Sequence, residues 1–203
     1  MPSIDKILIS NHLKQTITDL DARVRAVCAN SQTAAAANLE PGETFTKPGA
    51  YAAASDAAKK EALDACNNAL AEVKSYCDGE RKRVFSSLIE APTPEAVNTL
   101  TVLRMRDDVT ADELSQIATV FSDNYQVQKA LADIASNNGV NFDSPSLTDI
   151  KTIDAMGHAA ESAINAIGDA VTFEKRTTLA VEIQKANLDE IAENGVTLTG
   201  QVI

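Results

Sequence analysis

Residues 13–27 read LKQTITDLDARVRAV, with apolar side chains at Leu13, Ile17, Leu20, Val24 and Val27. The steps alternate between four and three residues, the spacing that keeps one stripe of a helix against a neighbour. A helix from Ile4 to about Asn30 follows, with Asp19, Asp21, Arg23 and Arg25 left for the solvated face. The same rhythm returns between Ala50 and about Ala91, at Leu63, Cys66, Leu70, Val73, Cys77 and Val84, with one miss at Glu80. Two such stripes predict packing seams of coiled-coil type. The run AYAAASDAAKKEAL that opens the second helix would let a neighbouring backbone approach to little more than methyl contact. Asp78-Gly79 is a point of weakness inside it, because Gly costs about 1 kcal/mol against Ala in a helix interior.

Between the two helices, Ser31 to Gly49 holds Pro41-Gly42 and Pro48-Gly49 around Phe45, which marks residues 31–49 as the longest loop. Its Ala34–Ala37 run could prolong the first helix. Downstream, Thr93-Pro94 is an N-cap followed by a first-turn proline and starts a short helix to about Arg104. Thr110 and Glu113 have capping-box spacing and open a helix along Leu114, Ile117, Phe121, Tyr125, Leu131 and Ile134 to Asn137. Asn138-Gly139 is a left-handed stop, with Val140 placed to pack back on the last turn. Ser144-Pro145 opens a helix lined by Ile150, Ile153, Met156, Ala160, Ile164, Ile167 and Val171, with Gly157 and Gly168 as possible breaks. A last helix through Leu179, Ile183, Leu188 and Ile191 stops at Asn194-Gly195. The tail 196–203, VTLTGQVI, alternates apolar and polar residues and reads as an extended or strand-like arm. Residues 127–140 and 183–196 match at seven of fourteen positions, an echo that shared capping chemistry explains.

Composition agrees with a helical chain. Of 203 residues, 44% are hydrophobic, or about 89; 33 of these are Ala, which leaves about 56 larger apolar side chains. Aromatics at 4% and the absence of Trp are a poor supply for a sandwich or barrel. The expected architecture is therefore all-α: an elongated helical bundle with coiled-coil-like seams and a short C-terminal tail. Chain order suggests an Ala-rich hairpin over 1–91, an acidic bundle over 92–195 and an arm over 196–203, or one continuous domain of all three.

The net charge of −11 is uneven: residues 1–49 and 50–91 are nearly balanced, whereas 92–143 hold 3 basic and 8 acidic residues and 144–203 hold 4 and 9. Such a second half repels nucleic acid and anionic membrane surfaces. Three cysteines make no disulfide framework, and no apolar run reaches the roughly 18 residues a membrane span requires. A cytoplasmic protein without membrane insertion is expected, or a virion protein if the chain is phage-encoded.

No catalytic, cofactor-binding or metal-ligating set emerges. His158-Ala-Ala-Glu161 places an imidazole and a carboxylate one turn apart, but reverses the Glu-x-x-His order of di-iron bundles and has no second copy. Cys66 and Cys77 fall on the apolar stripe, where thiols act as small hydrophobes. Phosphate-binding glycine motifs and a nucleophile elbow are absent. The one basic cluster, Arg81-Lys82-Arg83 with Arg104 and Arg106 later, is interleaved with Glu80, Asp107 and Asp108 and reads first as a salt-bridged surface.

Residues 91–140, APTPEAVNTLTVLRMRDDVTADELSQIATVFSDNYQVQKALADIASNNGV, carry a Pro-started short helix, an Arg-Met-Arg turn, a capped helix and an Asn-Gly stop. This layout resembles small helical proteins encoded by phages and prophages of Gram-positive bacteria. The resemblance implies a virion or virion-building role and carries no functional residue across. The expected function is a non-enzymatic structural or assembly protein that self-associates, or joins other structural proteins, through its helical seams and C-terminal arm. The alternative is a helical adaptor or regulatory module that binds a protein or, less favoured, nucleic acid through Arg81–Arg83. No cofactor or small-molecule substrate is evident in either reading.

Overall fold

A computed structural model describes residues 4–37, 48–86, 91–122, 124–173 and 178–196. Among the described residues the chain forms seven helices: α1 (Lys6–Ala37), α2 (Pro48–Ser86), α3 (Pro94–Arg104), α4 (Ala111–Val120), α5 (Tyr125–Asn137), α6 (Pro145–Phe173) and α7 (Thr178–Asn194). The all-α class expected from composition is the class observed. Of the tail 196–203, Val196 alone falls among the described residues, and it is buried.

The chain divides into two compact units. One gathers Met1–Ile9, Tyr76–Met156 and Glu190–Ile203; the other gathers Ser10–Ser75 and Gly157–Asp189. The long helices α1, α2, α6 and α7 each give one end to either unit.

In the second unit, Leu13, Ile17, Leu20 and Val24 of α1 are buried, as their spacing predicts. On α2 the buried stripe is shifted. Ala58, Ala62, Ala65 and Ala69 face inward with Cys66 and Val73, whereas Leu63 is 38% exposed and Leu70 is half-buried. Alanine, having the smallest side chain that still supports a helix, occupies the face of closest approach, and the larger leucines sit at its margin. Gly168 of α6 is part of the same close packing: a Cβ placed there would lie 3.8 Å from Cys66 Sγ and 3.9 Å from Leu63 Cδ2. Lys14 of α1 pairs with Asp189 of α7, and Ser10 Oγ donates to the same carboxylate at 3.4 Å.

In the first unit, α3, α4 and α5 share a core of Ala96, Leu103, Val109, Leu114, Ala118, Val127, Leu131, Ile134, Ala135 and Phe142. Helix α5 packs against both α3 and α4. Thr93 Oγ1 accepts from the Ala96 amide at 3.2 Å ahead of Pro94, and Thr110 Oγ1 accepts from the Glu113 amide at 3.3 Å. The Glu113 carboxylate does not complete the capping box; it accepts from Arg106 at 2.5 Å. At the other end, Gly139 adopts φ 65°, and the Val140 amide donates to Ala135 O at 2.9 Å, so Val140 packs back on the core.

One expectation about helix continuity changes and two open points are decided. Helix α1 continues through Ala37, the extension that the Ala34–Ala37 run allows, and α2 begins at Pro48; residues 38–47 lie outside the described residues. Helix α2 passes Gly79 unbroken, with the Arg81–Asp78 ion pair spanning it, and α6 passes Gly157 and Gly168 unbroken. The single helix expected from Thr110 to Asn137 is two, α4 and α5. Asn124 supplies the reason: its Oδ1 accepts from the Val127 amide at 3.1 Å and starts a new helix, although Phe121 and Tyr125 keep the apolar period across the break.

The echo between 127–140 and 183–196 does not bury equivalent faces. Val127 and Gln128 are fully buried, whereas the matching Ile183 is exposed and Gln184 half-buried. Both helices nevertheless stop at a positive-φ glycine, Gly139 and Gly195, the part that capping chemistry explains.

Candidate functional site

The basic cluster is built on the last turns of α2 and of α3 and the turn after α3; Arg81, Arg83 and Arg106 are engaged, whereas Arg104 is exposed and forms no ion pair among the described residues. Arg81 bonds Asp78 at 2.9 Å and also Asp154 of α6, and Arg83 bonds Glu80. Arg106 bridges Asp108 at 2.9 Å and Glu113 at 2.5 Å. Hydrogen bonds and charge from these partners raise the Arg81 and Arg106 guanidinium values further and hold Asp108 below the usual carboxylate value. A phosphate would have to displace carboxylates at each of these three arginines.

His158 and Glu161 do come together, Nδ1 to Oε2 at 3.4 Å, on the exposed face of α6 with side-chain exposures of 80% and 40%. Among the described residues no group of three or more His, Cys, Asp or Glu is arranged to hold a metal ion. Cys66 and Cys77 are buried and Cys28 is half-buried; burial raises the Cys66 thiol value, which keeps it protonated.

One cleft of about 280 Å³ with a mixed polar and apolar lining lies in the second unit, between α1 and α2. His12, Asp19 and Arg23 line one wall and Asn68 and Glu72 the other. Its hydroxyl, Thr16 Oγ1, donates to the His12 carbonyl at 3.2 Å, and Gln15 Nε2 donates to Asp19 at 2.7 Å. The helix spacing that places these residues is ordinary surface patterning, and the lining offers donors and acceptors of mixed sign without a nucleophile aimed at them.

Two buried polar features escape a reading of the sequence. Gln128, fully buried on α5, donates from Nε2 to Ala118 O at 2.7 Å and Phe121 O at 3.0 Å, while its Oε1 accepts from Ser144 Oγ at 2.5 Å. It thereby donates to carbonyls at the end of α4, of which Phe121 O also accepts from the Asn124 amide at 3.1 Å. Near the start of α1, Lys6 Nζ lies 4.0 Å from Asp149, and burial raises the Asp149 carboxyl value against the opposing effect of that lysine. One helical turn on, the Thr152 hydroxyl is buried without a hydrogen-bond partner among the described residues.

The surface also leaves large apolar side chains in solvent. Val97, Val102 and Met105 share the outward side of α3, and Leu179 and Ile183 stand one turn apart on α7. No described helix is long and apolar enough to cross a membrane. No protein-family model matches the chain, and no curated protein or solved structure is significantly similar to it.

Proposed function

We propose that this chain is a non-enzymatic structural or assembly protein that works through protein–protein contact. What carries the reading is the distribution of apolar surface. Leu13, Ile17, Leu20 and Val24 are buried within a single chain, so association falls to the side chains left outside, Val97, Val102 and Met105 on α3 and Leu179 and Ile183 on α7. Exposed apolar side chains grouped on one helix face favour burial against a partner. The virion-building role belongs to the resemblance of residues 91–140 and is proposed on that basis, with a virion or cytoplasmic location. The adaptor reading uses the same surfaces. Protein contact is favoured over nucleic acid because Arg81, Arg83 and Arg106 already hold carboxylates.

The test is absolute mass by light scattering on a sizing column at two concentrations and two salt levels. The self-assembly reading expects a discrete multiple of 21.5 kDa. It expects that mass to fall in Leu179→Lys/Ile183→Lys or on removal of residues 197–203, with helicity unchanged. A mass of 21.5 kDa under every condition overturns self-assembly.

A further inference from the structure

The cleft between α1 and α2 has a floor of Leu20, Ala65 and Ala69, all buried, while its walls carry polar groups. Two alanines in the floor leave room that longer side chains would fill. That room is about 280 Å³, just below the usual range for drug-sized ligands, and its size suits a small molecule.

The charges on the walls are not spent on one another. Asp21 and Arg25, four residues apart on α1 and outside the cleft lining, close an ion pair at 2.8 Å. Asp19 and Arg23 have the same spacing and do line the cleft, yet they stay apart. Asp19 accepts instead from Gln15 Nε2 at 2.7 Å, and the Arg23 side chain has no ion-pair or hydrogen-bond partner among the described residues. Glu72 and Asn68 on the facing wall are exposed and equally without a side-chain partner among the described residues. With His12 counted as neutral, the charged lining is one guanidinium against two carboxylates.

That set has a chemical complement. A guanidinium offers a carboxylate two parallel N–H donors, so Arg23 calls for an anionic group. Asp19, one helical turn away on the same wall, calls for a cation beside it, and Glu72 on the other wall calls for a second cation farther off. A methylene stem joining them can lie on an apolar floor while its charged ends stay in water. We infer that this cleft binds a free basic amino acid of the lysine type, its α-carboxylate on Arg23, its α-ammonium on Asp19, its side-chain ammonium on Glu72 and its methylenes on Leu20, Ala65 and Ala69. The inference goes beyond the protein-contact reading and uses none of the surfaces on which that reading stands.

The experiment is an amide chemical-shift titration of the ¹⁵N-labelled full chain at low salt with L-lysine, norleucine and cadaverine. Norleucine keeps the stem and the amino-acid head but lacks the terminal ammonium. Cadaverine keeps the ammonium groups but lacks the carboxylate, and it would be the stronger ligand if a chain of net charge −11 merely collected cations. L-Lysine should saturate one site with a Kd below about 1 mM, and the other two should bind about tenfold more weakly or worse. Its shifts should fall on residues 12–23 and 65–72 and spare residues 94–137. Arg23→Gln and Glu72→Gln, both at exposed positions, should each weaken lysine binding about tenfold with an unchanged thermal melt. Arg25→Gln should leave it unchanged. Failure of L-lysine to bind below about 1 mM, cadaverine or norleucine binding as tightly as lysine, shifts centred outside the cleft, or full affinity in Arg23→Gln or Glu72→Gln overturns the inference.

Discussion

Gln128 is the residue on which the α4–α5 corner depends. Its amide meets two main-chain carbonyls and the Ser144 hydroxyl at once, with the bonds to Ala118 O and Ser144 buried and the one to Phe121 O part-buried. Removing it strips the buried Ala118 carbonyl and Ser144 hydroxyl of this partner, while Phe121 O still accepts from the Asn124 amide at 3.1 Å; buried unsatisfied groups cost about 1–3 kcal/mol each. Gln128→Ala should therefore lose about 2–4 kcal/mol in urea unfolding. Gln128→Leu, which keeps the volume, should recover little; full recovery would show that packing alone matters there. Asp149 gives a pH-dependent counterpart. Burial raises its carboxyl above the ordinary aspartate value of 3.8, so the native state keeps a proton that the unfolded chain has released. That stabilisation is complete below 3.8 and is lost as pH rises through the raised value. Asp149→Asn, neutral throughout, should gain on the wild type as pH climbs from below 3.8 toward neutrality. A stability difference that does not change with pH would contradict this.

Among the elements, the glycines separate backbone demand from packing demand. A Cβ at Gly79 meets nothing within 4 Å, and one at Gly168 meets only ordinary contacts with Cys66 and Leu63. Both positions are helical, so Gly79→Ala and Gly168→Ala should each raise stability by about 0.5–1 kcal/mol. Gly139 has the same open surroundings as Gly79 but φ 65°, and Gly139→Ala should lower stability by about 1 kcal/mol. Thermal melts of the three variants test the contrast, and Gly139→Ala as stable as the wild type would refute it. The starts of α3 and α4 and the stops of α5 and α7 are legible in the sequence, because a cap is a contact between residues three or four apart. The start of α5 is not. Ser122-Asp123-Asn124 interrupts an apolar period that runs on through Phe121 and Tyr125, and the period hides the Asn124 cap.

In the whole molecule, burial distinguishes three thiols of one residue type. Cys66 and Cys77 are inside and Cys28 is half-buried. A disulfide reagent should label one thiol, Cys28, quickly in the native protein and all three in denaturant; rapid native labelling of Cys66 would mean that the α2 stripe opens readily. The candidate surfaces were less legible than the core. The α3 strip reads as scattered Val, Thr and Met until Ala96 and Leu103 fix which side of the helix is inward. The Arg81 cluster reads as salt-bridged from its near neighbours in sequence, but Asp154, 73 residues away, is a partner that spacing cannot name.

Local chemistry in the chain is enough to establish an all-helical protein, most helix ends, the buried α1 stripe at Leu13, Ile17, Leu20 and Val24, and the acidity of the second half. These follow from spacing, capping and composition, whose physics acts over a few residues. Tertiary structure decided which face of α2 turned inward, that Gln128 would be buried, that Arg81 would be neutralised, and that segments as distant as Met1–Ile9, Tyr76–Met156 and Glu190–Ile203 would share one unit. Each of those outcomes depends on contacts between residues far apart in the chain. The apolar period of one helix marks a stripe, but the closeness of its neighbours chooses between leucine and alanine on that stripe.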